Sequence, residues 1–94
     1  MHDSATALLY RLLARGKFRH LQVLLRLAEL GSVQRTAEAI GLTQSSVTQT
    51  LAYLEELLGA KLFERHARGV RPTPVARDLL PVARRLMLGI SDGA

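Results

Sequence analysis

Gln44, Ser45, Thr48 and Gln49 crowd into six consecutive positions, and none carries a charge. Amides and hydroxyls both donate and accept hydrogen bonds, so this group suits contact with base edges in a DNA groove, while Lys or Arg elsewhere holds phosphates. Gln44 and Gln49 in particular offer the bidentate pairing that adenine accepts. The same stretch contains Val47, Leu51, Leu54 and Leu58, spaced 4, 3 and 4, which predicts a helix over Gln44–Leu58 with the polar group on its outer side. Thr43 is placed to cap it.

A second set of chemistry-bearing residues is basic. Lys61, Arg65, Arg68 and Arg71 surround Gly69, and Ala60–Arg65 and Val70–Thr73 read as extended runs flanking a His66-Ala67-Arg68-Gly69 tip. Such a hairpin is a wing. Arg68, nearest the tip, is expected to reach a minor groove, where narrow A·T-rich sequence concentrates negative potential. Arg65 and Arg71, expected on one edge of the hairpin, would hold phosphates with Arg35, Thr43 and the backbone N–H groups at Ser32. The duller readings are a solvated helix face for the first set and a solubilising patch for the second.

Other combinations lead nowhere. His2, His20 and His66 are dispersed and lack metal-site spacing. Glu55 and Glu56 are helix neighbours whose side chains diverge, and they mark the end of the helix that phosphates would repel. Ser45-Ser46 has no base nearby in sequence, and there is no phosphate-cradling glycine loop. Nothing here predicts an enzyme, a metal or a cofactor.

The elements that must position these residues follow from punctuation. Ala5–Arg15 is an amphipathic segment ended by Gly16. Phe18–Leu30 is predicted as a helix whose polar stripe, Arg19, Gln22, Arg26 and Glu29, is narrow enough that its apolar surface needs cover on more than one side. Gly31 closes it, Ser32 caps Val33–Ile40 with Val33, Thr36, Ala37 and Ile40 inward, and Gly41-Leu42 turns the chain into the Gln44 helix. Two short helices joined by a tight glycine turn make a helix-turn-helix. Three helices and a hairpin predict a mostly α, winged helix-turn-helix. Thr73 and Pro74 then open a last helix to about Ile90. Its Val75, Leu79, Val82 and Leu86 follow 4-3-4 spacing, widened by Leu80, Ala83, Met87 and Ile90. With the core filled by the first three helices, this seam is expected to pair with a second chain rather than fold back.

Composition agrees. Ninety-four residues with 48% apolar content make one small domain. The net charge is +5, of which residues 59–94 hold +4, favouring a polyanionic partner. There is no cysteine, no signal peptide and no run long enough to span a bilayer, so a cytoplasmic location is expected.

Phe18–Thr73 resembles the DNA-binding domain of LysR-type transcriptional regulators, and Pro74–Ile90 resembles their linker helix. The signposts run in order: Phe18, Gly31-Ser32, Thr36-Ala37, Thr43-Gln44, Leu54-Glu55, Leu58-Gly59, Leu62-Phe63-Glu64-Arg65, Gly69-Val70 and Thr73, over roughly three quarters of the chain. Where the family often has Pro-Ala and then Ser-Arg, this chain has Ser45-Ser46 and Thr48-Gln49, which removes an arginine from the recognition helix. The segment Ala5–Arg15 is longer than the family usually shows, and the family's large effector-binding domain does not follow.

The resemblance implies a DNA-binding fragment of a longer bacterial activator or repressor. Residues 1–17 would be a helical extension, 18–73 the winged domain, and 74–94 the dimerisation helix and tail. The partners implied are double-stranded DNA with an inverted-repeat operator, and a second copy held through Val75, Leu79, Val82, Leu86 and Ile90 in antiparallel helix pairing. A tetramer is implied for the intact regulator, and a small-molecule effector only through the domain not present here. The alternatives are a helical protein-interaction or dimerisation module with a solubilising basic surface, and a winged helix working on RNA.

Overall fold

The computed structural model describes residues 18–93, with side chains described to Leu88. The segment Ala5–Arg15 and the side chain of Ile90 therefore lie outside the described residues. The element order is α1 (Phe18–Leu30), α2 (Val33–Ile40), α3 (Gln44–Leu58), β1 (Phe63–His66), β2 (Gly69–Pro72) and α4 (Pro74–Gly93). This is a mostly α winged helix-turn-helix.

The helix boundaries are set by caps that the sequence announces. Ser32 is extended and its Oγ accepts from Arg35 N at 3.1 Å, satisfying one of the free N–H groups of α2. Thr43 does the same for α3, accepting from Ser46 N at 3.0 Å, while its own hydroxyl donates to Ser46 Oγ at 3.0 Å. Thr73 caps α4 through Ala76 N and also donates to the Lys61 carbonyl at 2.7 Å, which ties the foot of the hairpin together. Gly41 ends α2 in the left-handed region at φ 71°, where a Cβ would be strained.

α1 is the central element. Its Leu21, Leu24 and Leu27 are buried with Leu54 and Leu58 of α3, Leu62 and Phe63 at the start of the wing, and Ala76, Leu79, Leu80 and Ala83 of α4. Val23 belongs to a second, smaller cluster with Ala37 of α2 and Val47 of α3, bordered by Val33, Ile40 and Leu42. The two-sided cover expected for α1 is therefore real, but both covers come from this chain. The premise that three helices fill the core is corrected: α4 supplies four of its buried side chains, and Leu79 is 1% exposed. Small apolar residues at 76 and 83 let α4 approach α1 closely, and Leu79 fills the space between them.

The hairpin also differs from the expectation. Ala60 and Lys61 lie outside β1, and the strands pair Phe63 with Pro72, Glu64 with Arg71, Arg65 with Val70, and His66 with Gly69. Only Ala67 and Arg68 remain in the turn, so Gly69 is a strand residue rather than the tip. Paired residues share a face and neighbours alternate. Arg65 therefore lies on the Phe63 and Val70 side, whereas Arg71 lies with Glu64 and His66 on the other. The expectation that both arginines share one edge fails, because one-residue alternation separates positions 65 and 71 once Arg65 is fixed opposite Val70.

Candidate nucleic-acid interface

Gln44, Ser45, Thr48 and Gln49 are all exposed on the first turns of α3, opposite the buried Val47 and Leu54. Ser46 is half-buried and spends its hydroxyl and N–H on the Thr43 cap, which separates it in role from its neighbour Ser45. The cap leaves the other first-turn N–H groups of α3 pointing out from a helix end that carries partial positive charge. Ala52 and Tyr53 continue the exposed surface one turn on, and the Tyr53 ring lies 5.1 Å from that of His20 on α1. Sequence reasoning passed over both, and an aromatic standing four positions beyond Gln49 was the available signal.

Arg65 and Val70 of the wing form one wall of a groove whose other wall is Thr48, Leu51 and Ala52 of α3. Arg65 thus faces the helix that carries the polar group. Arg68 is exposed at the turn, where its N–H donates to His66 Nδ1 at 3.2 Å and fixes the turn geometry. Arg71 is exposed on the opposite face, across from Glu64. Ser32 and Arg35 sit at the start of α2. They are close to the wing because Val70 N donates to the Gly31 carbonyl at 3.0 Å. The structure therefore brings the α3 face, the α2 N-terminus and one wing arginine to one region, and places Arg71 apart from Arg65.

Glu55, read from sequence as a charge to be kept from phosphates, has another environment. Its carboxylate accepts from Leu62 N at 2.8 Å and Phe63 N at 3.4 Å, with Lys61 Nζ 3.7 Å away. The sequence held a signal for this, since Glu55 falls between Leu51 and Leu58 on the inward ridge of α3.

Of the proposed dimer residues, Leu79 is buried within the chain and Val75 is 39% exposed. Val82 and Leu86 are half-buried against the core cluster. Beside them Leu88 is 61% exposed, and with Met87 and Arg84 it faces Gln22, Leu25, Arg26 and Glu29 of α1 across an open groove. The Arg26–Glu29 pair at 3.3 Å on its rim is solvent-exposed and contributes little to stability. Among the described residues, no three His, Asp or Glu side chains gather as a metal-binding group, and no helix is long and apolar enough to cross a membrane.

Residues 18–77 match the family model for bacterial regulatory helix-turn-helix proteins of the lysR family. The small neutral protease regulatory protein of Streptomyces coelicolor is 41% identical over 69 residues, covering 73% of this chain and 21% of that protein. The transcriptional regulator GalR of Pseudomonas putida is 45% identical over 67 residues, covering 71% of this chain and 17% of that one. The chain thus spans about a fifth of the length of the curated relatives it matches. Among solved structures, the CbnR DNA-binding domain in complex with DNA superimposes with a TM-score of 0.77 at 30% identity, over 82% of this chain and 88% of that one.

Proposed function

The chain belongs to the lysR family of bacterial regulatory helix-turn-helix proteins, and from that premise we propose that it is the duplex-DNA-reading part of a transcriptional regulator. The observation that carries the proposal is the uncharged polar face of α3, Gln44, Ser45, Thr48 and Gln49, standing free at a capped helix end beside a wing arginine. In this reading residues 18–73 read DNA and 74–94 link and dimerise. The cytoplasm is the compartment, base contacts come from the α3 face, and Ser32, Arg35, Thr43, Arg65, Arg68 and Arg71 contact the backbone or the adjacent minor groove. A regulator needs no bond-making chemistry, so we assign no catalytic residue.

The opposite faces of Arg65 and Arg71 refine the wing's task. Arg65 faces the α3 groove and is placed for the phosphates nearest the recognition site. Arg71 is placed for the strand beyond. A salt titration of duplex binding tests this. Arg65→Ala and Arg71→Ala are each expected to lower the slope of log K against log salt by about one unit, for all sequences alike. Arg68→Ala is expected to lose mainly the preference for A·T-flanked over G·C-flanked duplex. Unchanged slopes in all three would reduce the wing to a solubilising patch, and tighter binding to RNA would redirect the reading to that partner.

We further infer a two-fold dimer through α4, binding an inverted repeat. The burial of Leu79 moves the interface toward Val75, Val82 and Leu86, with Met87 and Leu88 beside them. Dimerisation of the intact regulator, any tetramer built from it, and response to a small-molecule effector belong to the same proposal. Val75→Glu combined with Leu88→Glu, both at exposed positions of α4, is expected to give folded monomers by sedimentation, with operator affinity reduced roughly tenfold or more. Leu79→Glu would not test the interface, because it places a carboxylate in the core and unfolds the chain. A wild-type chain that stays monomeric at high micromolar concentration would end this part of the proposal.

A further inference from the structure

We propose that Glu55 is a positioning residue that sets the wing against the recognition helix, so that both meet one duplex at a fixed angle; this rests on the DNA-binding reading above. Two backbone donors converge on one carboxylate oxygen. Leu62 N and Phe63 N donate to Glu55 Oε2 at 2.8 and 3.4 Å, and Phe63 is the first residue of β1. Hydrogen bonds from peptide N–H groups to a carboxylate are shorter and stronger than neutral ones, a length that the Leu62 contact has at 2.8 Å, while the Phe63 contact at 3.4 Å is the weaker of the two. The Glu55 side chain is 15% exposed, whereas its partner Lys61 is 81% exposed and adds little.

The position of the clasp matters as much as its strength. α3 ends at Leu58, and the hairpin begins five residues later. Across that connection the Glu55 carboxylate is the side-chain bridge from α3 to the start of β1. At the other strand the wing is held by the Val70 N–H on the Gly31 carbonyl. Hydrogen bonds therefore grip the wing at two places, by a side chain of the recognition helix and by the backbone preceding α2, in addition to the packing of Leu62 and Phe63 in the core. Releasing the first leaves that packing and the second grip to hold the hairpin, and its angle to α3 is then less closely set. The polar face of α3 and the arginines of the wing would then no longer be offered to DNA at a set separation. A carboxylate on a helix that approaches phosphates is electrostatically adverse, and here two backbone N–H donors offset it.

The test uses a duplex selected by the wild-type chain from a random pool, with hydroxyl-radical cleavage reporting the flanking minor groove. Glu55→Met keeps the packing and helix propensity of the stem but accepts no hydrogen bond. It is expected to lose the flanking protection while keeping the base preference at the recognition positions. Glu55→Gln, which retains an acceptor oxygen, is expected to restore the protection, a rescue that a loss of general stability would not produce. Amide exchange in the free wild-type chain gives a second reading that needs no variant: Leu62 should exchange more slowly than Lys61. Flanking protection retained in Glu55→Met, or a Leu62 amide exchanging as fast as that of Lys61, overturns the proposal. A wild-type chain that binds no duplex overturns the DNA-binding reading itself, and the Leu62 measurement tells the two failures apart.

Discussion

Gly69→Ala is expected to lower the unfolding midpoint on the order of 15 °C or more, well beyond the effect of the same change at Gly41. Two costs combine. Gly69 has φ 144°, a backbone conformation that L residues rarely adopt, and holding alanine there costs about 1–3 kcal/mol. A Cβ at this position would also overlap the Gly31 carbonyl oxygen, which is backbone and cannot rotate away. Overpacking of that kind costs about 1–3 kcal/mol, and relieving it displaces the Val70 N–H from the same carbonyl. A small domain has only about 5–15 kcal/mol of stability in total, and each kcal/mol moves its midpoint by about 4–8 °C. Gly41→Ala is the control. It has φ 71° but nothing within 4 Å of the added Cβ, so it carries the backbone cost alone, about 1–2 kcal/mol. Thermal unfolding followed by circular dichroism separates the two. Equal midpoints for both variants would mean that the wing does not seat on Gly31.

That contact also marks where sequence reading stops. Ser32, Thr43 and Thr73 were legible as caps because a cap is local: a hydroxyl three residues before the N–H it accepts from. The polar face of α3 was legible for the same reason, since helical spacing fixes which side chains lie opposite Val47 and Leu54. The wing was legible only as a wing. Its register depends on which carbonyl meets which N–H, and alternation of apolar and polar residues over four-residue strands does not choose between neighbouring registers. Sequence alone therefore puts Arg65 and Arg71 together, whereas the ladder sets them on opposite faces.

The last helix shows the same limit from another side. The 4-3-4 seam at Val75, Leu79, Val82 and Leu86 is compatible with a partner helix from another chain or with α1 of this one, because spacing identifies an apolar stripe and not its cover. Ala76 and Ala83 carried the missing information. Small residues on the buried side allow close approach to α1, and Leu79 between them then fills the domain's own core. What α4 has left for a second copy is narrower than the seam suggested. The partners of Glu55 escape the sequence for a related reason: its place near the end of α3 is local, whereas the Leu62 and Phe63 N–H groups that meet it depend on the path of the following loop.

Loss of Gln44 or Gln49 is expected to leave the fold intact and to change which sequences are bound. Both side chains are exposed on the first turns of α3, so truncation removes no core contact, and surface substitutions of this kind shift stability within about 0.5 kcal/mol. In the major groove each can pair with the N6 and N7 edge of adenine, and one good bidentate pair is worth about 1–3 kcal/mol of discrimination. Gln44→Ala and Gln49→Ala should each therefore flatten the preference at a separate base position by roughly 5- to 150-fold, since 1.4 kcal/mol is a factor of ten. Binding to unrelated duplex should persist, because the phosphate contacts proposed for Arg65 and Arg71 would supply that term and would be untouched. Position 49 carries the sharper forecast. With an amide rather than a guanidinium there, adenine rather than guanine is the base expected opposite, and Gln49→Arg should transfer the preference toward guanine, whose O6 and N7 accept the arginine fork. Selection of bound duplexes from a random pool by the wild-type chain and the three variants measures this directly. Sequence preferences identical in all four would remove Gln44 and Gln49 from the groove and leave the α3 face as ordinary solvated surface.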